Sequence, residues 1–330
     1  MDKLAIDGGK PVRSSPLPSW PHYADDEIEA ARAVLASGRV NYWTGDEGRA
    51  FEQEFADYIG APYAIAVANG TLALELALYA LGIGPGDEVL VPSRTFIATA
   101  SSVVRVGATP VVVDLEPDSQ GMSVAAMQRA LTTRTRAAIP VHLGGWPCDM
   151  DAIMAFAKEH GLKVIEDCAQ SLGAEYRGRQ TGSFGDMAAF SFCQDKIMTT
   201  GGEGGMLVTS DESLWRRAWA YKDHGKDYDL VYHAQHPPGH RWLHASFGSN
   251  FRMTEMQAAI GRRQLAKLPA WLERRERNAR FLMAALSDVD GLYVPAVPAH
   301  VRHAFYRLYV YIDPERLRAG WNQDRVIEAI

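Results

Sequence analysis

Lys196 is the first residue in the chain whose position suggests chemistry. It lies in Ser191-Phe-Cys-Gln-Asp-Lys196-Ile-Met-Thr-Thr-Gly-Gly-Glu-Gly-Gly205, between two apolar, β-prone runs at residues 187–192 and 206–209. A lone lysine on a turn between buried strands is costly unless it is paired, exposed or used. Two readings compete. One is a surface lysine on a Gly-rich hairpin. The other is a desolvated amine that forms a Schiff base with a carbonyl.

Other residues bear on that choice. Asn69-Gly-Thr71 opens a helical pattern. Its free amides and the helix dipole favour an anion, and Thr71 adds a hydroxyl donor, although a plain N-cap is the commoner use of such a triplet. Asp167 ends a strand-like run, where a carboxylate can hold a protonated ring nitrogen or simply cap a helix. Phe96 can stack on a planar ring or pack in the core.

The elements that must position these residues follow from periodicity. From residue 63 onward, short apolar runs alternate with helical patterns. Strands are predicted at 64–67, 88–92, 109–114, 137–141 and 163–167, and helices from about 72, over 95–106, 125–131 and 149–160. Such alternation implies a mostly parallel sheet covered on both faces, with ligand chemistry at the carboxyl ends of the strands. Asn69-Gly-Thr71, Thr95-Phe96, Asp167 and Lys196 all fall at or just past predicted strand ends. Residues 222–250, rich in His, Pro, Gly and Tyr, read as a long functional loop. A helix is expected over 254–282, bent or interrupted at Pro269, then a strand over 304–312 and a helix beginning at Trp321.

Composition narrows the function classes. The 330 residues are 47% hydrophobic and 22% charged, with a net charge of −6. That is ordinary globular composition and argues against nucleic acid or an anionic membrane as the main partner. No apolar run is long enough to span a bilayer and no secretory signal opens the chain, so a cytoplasmic location is expected. Cys148, Cys168 and Cys193 lack metal-like spacing and read as reduced thiols. His233, His236, His240 and His244 are weighed as a zinc set and set aside, because Pro237-Pro238 breaks the helix that would stack them. No metal centre is expected. Gly201–Gly205 lacks the ending of a P-loop, and no Gly-x-Gly-x-x-Gly follows the first strand, which disfavours a dinucleotide oxidoreductase.

Ordered blocks across the chain resemble the DegT/DnrJ/EryC1/StrS family of sugar aminotransferases, pyridoxal-phosphate enzymes of fold type I. They include Ala68-Asn-Gly-Thr-Leu-Ala-Leu74, Gly84-Pro-Gly-Asp-Glu-Val-Leu-Val-Pro92, Thr95-Phe-Ile-Ala-Thr99 and Pro140-Val-His-Leu-Gly144. Further blocks are Glu166-Asp-Cys-Ala-Gln-Ser-Leu-Gly173, Gly185-Asp-Met-Ala-Ala-Phe-Ser-Phe192, Lys196 with Glu203-Gly-Gly205, and Asn250-Phe-Arg-Met-Thr254. The resemblance implies a large cofactor-binding α/β domain (1–250) with a mostly parallel sheet flanked by helices. A smaller C-terminal α+β domain (251–330) follows. It is expected to be incomplete, because family members continue past this chain's end.

The resemblance also implies roles. Lys196 forms the Schiff base and shuttles the proton, and Asp167 pairs with the pyridinium nitrogen. Gln170 lies near the ring hydroxyl and Phe96 stacks on the ring. Gly70, Thr71 and Ser191 hold the phosphate, and Asn250 reaches the phosphate site of a neighbouring subunit in a homodimer with shared active sites. The implied reaction moves an amino group from an amino acid, glutamate, to a keto group on a nucleotide-linked sugar, for surface polysaccharide or a glycosylated metabolite. Rivals are a keto-sugar dehydratase of the same family, whose members carry histidine in place of the lysine, and a carbocycle or aminobenzoate synthase. A non-catalytic regulatory dimer is a rival from another class. Two features depart from the pattern: Gly201-Gly202 sets Glu203 one residue further from Lys196, and the chain stops early. Sugar contacts are expected from the 222–250 loop, with Lys222-Asp-His224 the leading group, and from near Trp43.

Overall fold

Alternating apolar strands and helices produce a seven-stranded sheet covered on both faces. The structure is a computed structural model and describes residues 3–239 and 241–329. Helices α1 (Asp25–Ser37) and α2 (Glu47–Ile59) come first. The alternation follows as β1 (Tyr63–Val67), α3 (Gly70–Ala80), β2 (Glu88–Pro92), α4 (Ala98–Arg105), β3 (Thr109–Val113), α5 (Val124–Ala130), β4 (Thr135–Ala138), α6 (Met150–His160) and β5 (Lys163–Asp167). A small hairpin, β6 (Glu175–Tyr176) and β7 (Arg179–Gln180), leads to β8 (Met187–Ser191) and β9 (Gly205–Thr209). Then come α7 (Glu212–Lys222), α8 (Tyr228–Tyr232), the long α9 (Glu255–Leu286), β10 (Leu292–Tyr293), β11 (Val301–Arg302), β12 (Tyr311–Ile312) and α10 (Gln323–Ala329).

The strand order is β1-β9-β8-β5-β4-β2-β3, and β9 alone runs against the rest of this sheet. A parallel sheet must bury both faces, and alternate residues of one strand show it doing so. Ala64 and Ala66 of β1 join a core with Phe51, Phe55 and Leu268. Ile65 and Val67 join another with Leu74, Leu76 and Trp219. The parallel strands end on one edge, and β9 begins there, with Gly205 opposite both Val67 and Ser191.

The C-terminal part departs from expectation in two places. Helix α9 is continuous through Pro269. Its buried Leu265, Leu268 and Leu272 pack into the core beside Phe55, and that packing outweighs the hydrogen bond a proline removes. The predicted strand over 304–312 forms only at β12, where Tyr311–Ile312 pairs with Leu292–Tyr293. Residues 304–310 have no strand beside them. Ala304 N and Arg307 N donate instead to the carbonyls of Gly145 and Gly144, and Phe305 takes a positive φ of 49°. The expected helix from Trp321 begins at Gln323, and its end at Ile330 lies outside the described residues.

Candidate active site

The edge where the parallel strands end carries a cavity of about 770 Å³. Its lining includes Gly70, Thr71, Phe96, Asp167, Gln170, Ser191 and Lys196, so seven of the expected site residues meet there.

One end of the cavity is built by glycines. Helix α3 starts immediately after β1, and its N-cap Asn69 accepts the amide of Leu72 through its side chain at 3.0 Å. The amides of Gly70 and Thr71 precede any carbonyl that could accept them, as in the first turn of every helix. A Cβ on Gly70 would lie 2.7 Å from Ser191 Cβ, and one on Gly205 would lie 2.5 Å from the Asn69 carbonyl. Only glycine lets β8, β9 and the start of α3 converge this closely. The result sets the Thr71 and Ser191 hydroxyls beside first-turn amides, an arrangement suited to an anion.

Asp167 sits at the end of β5 and is 5% exposed. Its carboxylate accepts Thr99 Oγ1 at 2.8 Å and the amide of Ala169 at 3.1 Å. Burial pushes its carboxyl above the ordinary range, against those hydrogen bonds and the nearby charge of Lys196. A cation placed beside it would reverse that shift, which suits a carboxylate awaiting a protonated ring nitrogen.

The preceding residue, Glu166, points to the other face of β5 and anchors it. It accepts the amides of Gly182, Phe184 and Gly185, and the fully buried His142 Nε2 lies 3.0 Å away. The amide of Cys148 donates to His142 Nδ1, so the proton sits on Nε2 and faces Glu166. Burial works to raise the Glu166 carboxyl, but His142 and the amides hold it below its usual range. Cys168 lies near this pair, and burial pushes its thiol up to about 12. Among the described residues, His142, Glu166 and Cys168 are the group close enough to share an ion. Their ring nitrogens and carboxylate oxygens are already engaged with each other and with the backbone, so we read the cluster as structural.

Lys196 lies beyond β8 on the strand–strand connection. Its side chain is 15% exposed. Trp20 Nε1 donates to its carbonyl at 3.0 Å. Its Nζ lies 3.5 Å from Tyr306 Oη and 3.7 Å from Asp195 Oδ1. Tyr306 in turn donates to Asp195 Oδ2 at 2.5 Å. The surplus residue before Glu203 is absorbed by Gly201 and Gly202 at φ of 88° and 118°. Glu203 still lines the cavity.

Tyr306, Arg307 and Tyr309 also line the cavity, and sequence reasoning missed them by assigning them to a strand. The signal was Gly144-Gly145. A Cβ on Gly144 would lie 2.7 Å from the Tyr309 ring, and one on Gly145 would lie 3.1 Å from Tyr306 N. These glycines let the 304–309 segment drape over the site. Gly144 N also donates to Gln170 Oε1 at 2.8 Å, which leaves the Gln170 amide hydrogens as donors.

Several expected residues stand elsewhere. Asn250 is exposed and lies outside this cavity's lining, on a bridge with Asp223. Of the Lys222-Asp-His224 group expected to contact the sugar, Lys222 and Asp223 are fully buried and only His224 is exposed. Lys222 Nζ lies over the Tyr42 ring at 3.8 Å and 3.6 Å from Glu52. Asp223 pairs with Arg252 and Lys226. His233 pairs with Asp229, and His236 engages the Leu230 carbonyl. His240 lies outside the described residues. Phe96 stands 67% exposed at the cavity wall rather than in the core.

Pyridoxal phosphate needs an amine for its carbonyl, a carboxylate for its ring nitrogen, an apolar face for its ring and an anion site for its phosphate. Lys196, Asp167, Phe96 and the cradle at Gly70 supply these in one cavity, so the residues fit the group. Fold and site together define a pyridoxal-phosphate aminotransferase of fold type I. Residues 21–330 match the DegT/DnrJ/EryC1/StrS aminotransferase family, and the chain belongs to it. The X-ray structure of the aminotransferase from Psychrobacter cryohalolentis superposes with a TM-score of 0.93 at 53% identity, over 95% of this chain and 81% of that one. The chain is 45% identical to the UDP-N-acetyl-3-dehydro-alpha-D-glucosamine 3-aminotransferase of Acidithiobacillus ferrooxidans, over 83% of this chain and 71% of that one. It is also 45% identical to GDP-perosamine synthase of Caulobacter vibrioides, over 80% and 69% respectively.

Proposed function

We propose that this aminotransferase moves an amino group from glutamate to a keto group on a nucleotide-linked sugar. The observation that carries the reading is the meeting of the Lys196 amine, the Asp167 carboxylate and the Gly70 cradle in one cavity. The names of the relatives described above, which include UDP- and GDP-linked sugar enzymes, support that acceptor class.

When bound, pyridoxal phosphate supplies a carbonyl that accepts the amine and a ring that takes up electrons. Lys196 would hold that carbonyl, and its Nζ would serve as the base that moves a proton at the substrate carbon bearing nitrogen. Asp167 would keep the ring nitrogen protonated, with its carboxylate fixed by the hydrogen bond from Thr99 Oγ1. The Gln170 amide would donate to the ring oxygen, Phe96 would cover the ring, and Thr71, Ser191 and the first-turn amides would hold the phosphate. Lys196 is the residue that sets this reading apart from the dehydratase one.

A second copy of the chain completes the site. Trp242 at 87% and Phe247 at 96% exposure stand on the same loop as Asn250 and give a partner an apolar surface to cover. Sedimentation should then give a dimer.

Glutamate with a panel of UDP- and GDP-linked keto-sugars should yield 2-oxoglutarate and amino-sugar in equal amounts. No amino-sugar from any member of the panel would overturn the reading.

A further inference from the structure

We infer that Arg307 is the carboxylate anchor for the amino donor, a deepening that rests on the transamination reading above. The cations lining the cavity are Lys196 and Arg307. Lys196 is committed to the carbonyl. The phosphate is taken by the cradle at Gly70, which needs no cationic side chain. That leaves one guanidinium in the wall. Among the described residues it forms no ion pair, whereas the neighbouring Arg302 pairs with Glu175 and Glu276.

The placement of Arg307 suits a donor. Its Cζ lies 5.1 Å from the centre of the Tyr306 ring, and Lys196 Nζ lies 5.0 Å from the same centre. The two cations therefore lie no more than two such radii apart, a span that an amino acid bridges with its nitrogen at Lys196 and a carboxylate at Arg307. The Arg307 backbone is fixed by the hydrogen bond its amide donates to Gly144 O, and Gly144 N donates to Gln170 Oε1. Gly144 thus positions both Arg307 and Gln170. Asp167 and Glu203, which line the cavity too, disfavour a carboxylate seated beside them. A planar guanidinium binds a carboxylate through a matched fork, which a lysine cannot reproduce.

The test uses the pyridoxal-phosphate-loaded protein and the variants Arg307→Gln and Arg307→Lys. Because Arg307 is exposed, both should keep the melting temperature of the wild type. Binding is read by calorimetry with α-methylglutamate, which has no α-hydrogen to lose, and turnover by separate KM values for glutamate and for the sugar acceptor. Loss of one charge-assisted pair should weaken α-methylglutamate binding and raise the glutamate KM by about tenfold to hundredfold in Arg307→Gln. Arg307→Lys should fall in between, and the acceptor KM should stay within about twofold of the wild type. A rise in the acceptor KM with unchanged donor binding would overturn the assignment in favour of the nucleotide phosphates. Unchanged values for both would overturn it outright. A wild type that turns over no donor would instead sink the transamination reading, so the two failures are distinguishable.

Discussion

Replacing Gly205 by alanine tests the cradle proposed to hold the cofactor's phosphate. An added Cβ would meet the Asn69 carbonyl carbon and oxygen at 2.5 Å and Gly70 N at 2.8 Å. Those distances fall well inside the 3.4 Å at which ordinary contact begins, and every atom met is backbone. The strand and the α3 start must separate by close to an ångström. Overpacking of this kind costs about 1–3 kcal/mol of stability. A displacement of about 1 Å in a preorganised site can cost roughly 10²-fold in function. Gly70→Ala is softer, because its Cβ first meets the Ser191 side chain, at 2.7 Å. Gly84→Ala is the control, since its Cβ meets only Val106 O at 3.8 Å. Absorbance titration of cofactor-stripped protein should therefore rank pyridoxal-phosphate affinity as Gly84→Ala, then Gly70→Ala, then Gly205→Ala, from strongest to weakest. Melting curves should follow the same order. Wild-type affinity and melting temperature in Gly205→Ala would refute the claim that these backbones are pinned together.

Other predictions concern titration and reactivity. Burial raises the Asp167 carboxyl above 3.8, so in cofactor-free protein it lowers stability as pH rises from its unfolded value through its folded one. Cofactor-free Asp167→Asn should then melt no lower than wild type at neutral pH, with any advantage vanishing in acid, while turnover of the loaded enzyme falls roughly 10²-fold. A buried Lys222 has its ammonium pKa lowered from 10.5, chiefly by burial, so wild-type stability should rise as pH climbs toward that value. Lys222→Met should lack that rise in melting scans from neutral to alkaline pH. Cys168, at about 12, and the buried Cys148 should resist iodoacetamide, whereas the partly exposed Cys193 lines the cavity and should be labelled. Peptide mapping should show bound pyridoxal phosphate protecting Cys193.

Much of the site was legible because it lies at strand ends. An apolar run followed by a polar residue marks where a parallel strand stops, which places Asn69 and Asp167, and Lys196 stands out on the Gly-rich turn between two such runs. Gln170 and Ser191 carry no such pattern and came only from resemblance. The wall formed by Tyr306, Arg307 and Tyr309 was hidden because its alternation of aromatic and aliphatic residues looks like a strand. Its partners are two glycine carbonyls far away in sequence. Burial of Lys222 was hidden for a related reason. A lysine reads as exposed unless its neighbours are known, and here Tyr42 and Glu52 enclose it from other elements, beside Trp219 of its own helix. The absence of a break at Pro269 was hidden because it depends on the core that α9 packs against rather than on local propensity.

The central claim is that Lys196 and the cofactor cradle act on one bound pyridoxal phosphate. Its most direct test is borohydride reduction of the purified, pyridoxal-phosphate-loaded protein followed by peptide mapping, beside an absorbance scan before and after glutamate. The account predicts a single modified lysine, Lys196, a visible band that shifts on adding glutamate, and neither signal in Lys196→Ala. Label at another lysine, or a band that persists unchanged with glutamate, would contradict it.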